Sequence, residues 1–397
     1  MRRVVRYGAY AGLFTAGTYG AFSAYAQIRT KRWIARREVE SARPDGNDPI
    51  VQYAAMRLHG RFVNPFPEYR HQTVFEFIFC RLLELFATEP RGGVPKEMAV
   101  LRAMLPTIQP DFKVLEGKTT TWTMPWPSNR LTLTWIGQSC AYVQLPGRKP
   151  VNVLTDPMFS NSVISEKIGP QRLVPSACSV EDFPTPDVVL VSHDHQDHLD
   201  YNTARKIGNS TTWIVPEGVG KRLQELGITN FHEMTWWEKV PLPNVDPALG
   251  YEVACTPAMH WSGRRLWDAN LSLWCSYMVL RHGKPLFFHG GDTGYATGLF
   301  SGISKVYGKG CRLAMLPCGA YTPQWHLRSQ HMNPDDAVRA MQDLGARKLV
   351  GVHWGTFVMS EEPFFEPPRL LAESAHRFNR SDDVMAPVFG KTLVFRV

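Results

Sequence analysis

The chain has 397 residues, of which 44% are hydrophobic, 12% aromatic and 20% charged. That is too much apolar material for a disordered chain and too little for a polytopic membrane protein, so the bulk reads as a globular fold with a sizeable core. The net charge of +8 invites an acidic partner until it is mapped. Arg2, Arg3, Arg6, Arg29, Lys31, Arg32, Arg36 and Arg37 precede the first acid, and the rest of the chain sums to zero. A uniformly basic nucleic-acid binder is therefore disfavoured. Seven scattered cysteines (Cys80, Cys140, Cys178, Cys255, Cys275, Cys311 and Cys318) form no C-x-x-C pair. That excludes a disulfide framework and a cysteine-based zinc site, and leaves buried packing in a reducing compartment as their role.

In chain order, residues 1–37 come first. Between Arg6 and Arg29 lies an uncharged stretch rich in Ala, Gly, Tyr and Phe, about as long as a bilayer-spanning helix. A membrane anchor is the favoured reading, against an Arg-rich, acid-free targeting segment and a helix lying on a membrane surface. Gly8 and Gly12 offer a small-residue spacing suited to helix association. Residues 38–118 are expected to form a polar linker and a helical extension. Its clearest helix is 71–87, where Phe75, Phe79, Leu82, Leu83 and Phe86 form one stripe. That stripe packs on the core, or else forms an apolar lip for lipid.

From residue 119 onward, β-rich runs follow one another at turn-length spacing: TTWTM, LTLTWIG, AYVQL, VNVLTD, VVLVS, TWIVP, YEVACTPA, SYMVLRHG, PLFFHGGD, LAMLPCG, KLVGVHWG and KTLVFRV. Helical segments lie between them. One starts at Asn333, with Pro334 at its first position and two acids in its first turn. Sheets covered by helices are expected, in one α/β domain over 119–397.

The decisive segment is VVLVSHDHQDHLD, residues 188–200, in which an apolar run ends on Ser192 and is followed by His193, Asp194, His195, Asp197 and His198. Alternate residues at a strand end point the same way, so His193 and His195 can share one cation while Asp197 and His198 face a neighbouring one. His260, Asp292 and His353 each close a later apolar run, the position in which a side chain is held at the rim of a sheet.

This pattern resembles the metallo-β-lactamase superfamily, whose αββα sandwich binds two metals through H-x-H-x-D-H and later His, Asp and His residues. The resemblance implies two Zn²⁺ per subunit. His193, His195 and His260 would hold one, Asp197, His198 and His353 the other, Asp292 would bridge, and Asp156 would stabilise the turn behind them. Two such ions bring a shared water toward neutral pKa and clamp the attacking and leaving oxygens of a displacement. Nitrogen and oxygen donors suit Zn²⁺ and also admit Fe or Mn.

The strings GRFVNPFPEYR, TWIGQSC, TDPMFS, SHDHQDHLD, HWSGR, SLWCSYMV, GGDTGY and QHMNPDDAV, spread over residues 60 to 397, are similar to those of the N-acylphosphatidylethanolamine-hydrolysing phospholipase D family. That family cleaves the distal phosphodiester of its lipid, giving an N-acylethanolamine and phosphatidic acid, and is dimeric. By this resemblance Asp197 and Asp292 are catalytic, and His331 is expected to stabilise phosphate charge or protonate the leaving oxygen. Arg264 and Arg265 are candidates to pair with the phosphate. Trp261, Trp267, Trp274 and Trp354 are expected in packing. Gln196 departs from the family, where an aromatic residue commonly stands. The partners implied are a phospholipid membrane and a second copy of the chain, without nucleic acid, at the mitochondrial inner membrane or on the cytosolic face of endomembranes. The competing readings are a lactonase or other small-ester hydrolase, and a membrane-tethered metal-binding scaffold without turnover.

Overall fold

The computed structural model describes residues 2–41, 48–70, 76, 79, 91–118, 127–265 and 267–397. The helix α1 (Arg2–Ser41) comes first. A small hairpin of β1 (Met56–Leu58) and β2 (Arg61–Val63) follows, turning on His59 and Gly60, both at positive φ.

The body is two seven-stranded sheets. In chain order, the first contains β3 (Arg130–Gly137), β4 (Cys140–Leu145), β5 (Val151–Thr155), β6 (Val188–Leu190), β7 (Thr212–Pro216) and β8 (Phe231–Met234). The second contains β9 (Lys239–Pro241), β10 (Tyr251–Thr256), β11 (Ser276–Arg281), β12 (Lys284–His289), β13 (Leu313–Pro317), β14 (Lys348–Val352) and β15 (Val384–Met385). The last strand, β16 (Thr392–Arg396), returns to pair with β3, so the first sheet has the order β16-β3-β4-β5-β6-β7-β8.

Period-two alternation explains how one sequence serves two layers. Leu131, Leu133 and Trp135 of β3, Val143 of β4 and Val188 and Leu190 of β6 enter the core between the sheets, where they meet Val253, Tyr277, Val279 and Phe287. The alternate residues Tyr142, Leu154, Val189 and Trp213 face outward into a second core, covered by Ala204, Ile207 and Leu223 from the helices Tyr201–Ile207 and Gly220–Glu225. The helices Leu299–Tyr307, Pro334–Asp343 and Glu366–Arg377 belong to the second sheet's side. This is the expected αββα sandwich. Asn333 caps its helix by accepting from the Asp336 amide at 2.9 Å.

Two expectations change, and two fall outside the described residues. The extension before the sandwich contains the β1–β2 hairpin as well as short helices. The helix expected over 71–87 lies outside the described residues except for Glu76 and the exposed Phe79, and the strand expected at TTWTM also lies outside them. Among the described residues no helix is long and apolar enough to cross a membrane, because the stretch within α1 is built of Ala, Gly, Thr and Tyr rather than Leu and Ile. Its Tyr7, Tyr10, Leu13 and Phe14 are exposed. Further along, Phe22 and Tyr25 lie against His59, and Arg37 donates to the Ala54 carbonyl at 2.6 Å.

Candidate functional site

A strand buried on both faces can place polar chemistry only where it ends. Asp156 follows β5, the run from His193 to His198 follows β6, His260 lies beyond β10, Asp292 beyond β12 and His353 directly after β14. The sheets are tied together at this end. The Cys275 amide donates to the Ser192 carbonyl at 2.9 Å, the His353 amide to the Gln138 carbonyl at 3.0 Å, and the Tyr277 hydroxyl to the Val191 carbonyl at 3.0 Å. Gln138, Asp156 and His353 all hold a left-handed backbone, a cost that recurs where function dictates geometry.

Among the described residues, two expected groups of donors meet here, and a third, His260, Asp292 and His331, overlaps them. His193 Nε2 lies 2.8 Å from His195 Nδ1, which is 3.3 Å from His260 Nε2. Asp197, His198, Asp292 and His353 form the second group. Asp292 Oδ2 stands 3.0 Å from His198 Nε2, Asp292 Oδ1 3.1 Å from His353 Nε2, and Asp197 Oδ2 3.5 Å from His353 Nε2. Asp292 Oδ2 is also 3.8 Å from His260 Nε2 and from His331 Nδ1, so it lies between the groups. His198 Nε2 and Asp292 Oδ1 are buried and make no hydrogen bond despite these approaches. Lone pairs converging on a shared point, rather than donors aimed at acceptors, are what a cation needs. Both groups therefore fit divalent metal.

In three of these histidines the opposite ring nitrogen is engaged. His193 Nδ1 lies 2.9 Å from Ser192 Oγ, His198 Nδ1 2.8 Å from Asp156 Oδ2, and His260 Nδ1 3.0 Å from the Gln330 carbonyl. Such partners hold the rings and leave the far nitrogen for metal. Asp156 also accepts from the Ser192 amide and hydroxyl and from His289 Nε2 at 2.9 Å, so it fastens the turn and stays outside both groups. Asn64, after the hairpin, donates to the His260 carbonyl at 2.8 Å and ties the extension to the site.

Burial holds His193 well below the ordinary imidazole value and lowers His195 to about 4 and His260 and His331 to about 3. Burial acts the same way on His198 and His353, but there the surrounding carboxylates outweigh it. Asp292, Asp197 and Asp156 raise His198 well above the ordinary value, and Asp292 with Asp197 brings His353 to about 9. Burial would raise Asp197 and Asp292, yet the neighbouring imidazoles hold both well below the usual carboxylate range. One group is thus neutral and the other carries charge that a cation would replace.

His331 stands beside the cluster, its ring 5.2 Å from those of His260 and His353. Arg264 does not face it. Its Nη1 donates to the Asp194 and Leu199 carbonyls at 2.9 and 2.8 Å, and its guanidinium covers the Tyr201 ring at 3.9 Å. Arg265 is exposed and lies 4.0 Å from Glu225. Arg264 is thus tied to backbone carbonyls of the loop, whereas Arg265 stays exposed. Gln196 donates to the Arg264 carbonyl at 3.2 Å. Trp274 is buried and donates to the Ala258 carbonyl, Trp354 is buried near Trp135, Trp261 is half-buried against His195, and Trp267 is 69% exposed.

Sequence reasoning missed the ion network beneath this loop. Arg222 meets Asp194 at 3.2 Å and Asp268 at 2.6 Å, and the two carboxylates take the amides of Gly263, Arg264 and Arg265. Arg222→Ala would leave two buried carboxylates without their counter-charge. It is expected to cost about 3–5 kcal/mol, read as a lowered urea midpoint. A loss below about 1 kcal/mol, the scale of a surface pair, would mean that the amides suffice. The only sequence signal was Asp194 between the two histidines.

The fold and site define a metal-dependent hydrolase, and the β-lactamase superfamily domain profile matches residues 151–354. A metallo-hydrolase structure from Ignicoccus hospitalis superposes with a TM-score of 0.52 at 22% identity, covering 68% of this chain and 99% of that one. A mitochondrial N-acyl-phosphatidylethanolamine-hydrolyzing phospholipase D of Saccharomyces cerevisiae is 37% identical over 95% of this chain and 86% of its own length. A phospholipase D of the same description from Caenorhabditis elegans is 34% identical over 60% of this chain and 68% of its own. The chain belongs to the N-acylphosphatidylethanolamine-hydrolysing phospholipase D family.

Proposed function

We propose that this enzyme hydrolyses N-acylphosphatidylethanolamine at its distal phosphodiester, using two Zn²⁺. Water oxygen bonds to phosphorus, the bond from phosphorus to the ethanolamine oxygen breaks, and that oxygen takes a proton. The products are an N-acylethanolamine and phosphatidic acid. The observation that carries this reading is the likeness to the yeast enzyme along nearly the whole chain, extension included.

Bound divalent ions would supply a Lewis acid and an activated water. The chain's own residues do the rest. His193, His195 and His260 would hold one ion, and Asp197, His198 and His353 the other, with Asp292 between them. Two carboxylates against two dications leave net positive charge, which suits an anionic phosphodiester. His331, at the edge of the cluster, is placed to hydrogen-bond a phosphate oxygen or the leaving oxygen. The exposed aromatic residues of α1, with cations along its length, would rest at an anionic membrane interface rather than cross it. The mitochondrial inner membrane is the proposed location, and a homodimer the proposed assembly.

The test is release of N-acylethanolamine from N-acylphosphatidylethanolamine in mixed micelles by zinc-loaded protein. Turnover should vanish with a chelator and return with zinc. Lactone opening without N-acylethanolamine release would overturn the lipid reading.

A further inference from the structure

Gln138 has no role in the reading above, yet the structure builds it into the second group of donors. It lies in the turn between β3 and β4, where the pairing of the two strands shifts register. Its backbone is left-handed at φ +48°, a conformation that glycine adopts without cost and a longer side chain does not. The residue is fully engaged. Its amide donates to Thr356 Oγ1 at 2.7 Å, and its carbonyl accepts from the His353 amide at 3.0 Å and from Trp135 Nε1 at 2.8 Å. Gly137, just before it, leaves space that a Cβ would lose to Arg172 and Thr356. All of this delivers a buried side-chain amide to the site, where Nε2 donates to Asp197 Oδ2 at 2.8 Å and lies 3.0 Å from His353 Nε2.

We infer that Gln138 is a positioning residue for the second cation, its amide N–H fixing the Asp197 carboxylate in the orientation that His198, His353 and Asp292 require. A carboxylate on a turn can rotate, and donors meeting a small ion must agree within tenths of an ångström. Partners that orient a metal-binding side chain typically contribute 10–100-fold to affinity. Because Gln138 reaches Asp197 and His353 but no member of the His193, His195 and His260 group, the effect is confined to one of two sites. This inference rests on the two-cation reading, and its test separates the two.

Zinc affinity would be measured by competition with a chromophoric chelator for the full-length wild type, Gln138→Ala and Gln138→Glu. Cobalt(II) absorption spectra would report each site's coordination. The wild type should bind two equivalents. Gln138→Ala should keep the first at wild-type affinity and bind the second about 10–100-fold more weakly. The retained first site shows that the variant is folded. Gln138→Glu keeps the shape but replaces the donor by a second carboxylate facing Asp197, and should also lose second-site affinity. Two equivalents bound by Gln138→Ala as tightly as by the wild type would overturn the inference, as would a second site strengthened by Gln138→Glu. A wild type that binds one equivalent would overturn the two-cation reading itself and this inference with it.

Discussion

Asp292→Asn is expected to lower hydrolysis by about 10³-fold or more, a loss of roughly 4 kcal/mol of transition-state stabilisation, while the far-UV circular dichroism stays that of the wild type. The carboxylate stands 3.0 Å from His198 Nε2, 3.1 Å from His353 Nε2 and 3.8 Å from His260 Nε2, so it is the side chain that addresses both groups at once. Asparagine keeps its volume and removes its charge. Four positive charges would then face a single carboxylate, that of Asp197, instead of two, and the oxygen between the groups would become an amide oxygen or a donor. Bound zinc, counted by elemental analysis, should fall below two equivalents together with the rate. Full activity with less than one equivalent of metal would remove the basis for a metal-dependent reaction at this cluster.

The contrast with His331 sharpens this. His331 Nδ1 is 3.8 Å from Asp292 Oδ2, and its side chain keeps some exposure, where His198 and His353 have none. It is the partly exposed neighbour of the cluster, and the proposed reaction would use it on the substrate rather than on the metals. His331→Ala should therefore depress the rate while leaving the metal content unchanged, the reverse of what Asp292→Asn does to the metal.

The residues that gather at the site were legible because each sits where an apolar run stops. A strand buried on both faces is almost continuously hydrophobic, so a histidine or aspartate at its end stands out, as His193, His260, Asp292 and His353 do. Strands β8 and β9 were not legible, being short and partly exposed, without a buried face to impose alternation. Gln138, Asn64, His289 and Arg222 escaped for a different reason. Each acts on a partner far away in sequence, which only the folded chain brings near. The surroundings of Arg264 were not legible because an arginine after a site histidine reads the same whether its guanidinium meets a phosphate or the carbonyls of Asp194 and Leu199. The 7–28 stretch was long enough for a membrane span, but its Gly, Ala and Thr content keeps it short of the apolarity that crossing needs.

The two cations should also differ in how they respond to pH. In the protein without metal, His353 holds its proton up to about pH 9 and His198 holds its own well above the ordinary imidazole value, both through neighbouring carboxylates. A cation entering their group must displace those protons, so its apparent affinity falls as pH drops, by about tenfold per unit for each proton released. Two protons give at most about 100-fold per unit, and a cation already bound nearby lessens this by weakening the hold of Asp292 on them. In the other group burial lowers His195 to about 4, His260 to about 3 and His193 well below its ordinary value, so nothing is displaced at neutral pH and affinity stays flat above about pH 5. Equilibrium dialysis against buffered zinc at pH 8, 7 and 6 should thus show one equivalent retained throughout and the other progressively lost, with hydrolysis falling alongside the second. Equal pH slopes for both equivalents would mean that His198 and His353 do not hold their protons in this way, and that the two groups are electrostatically alike.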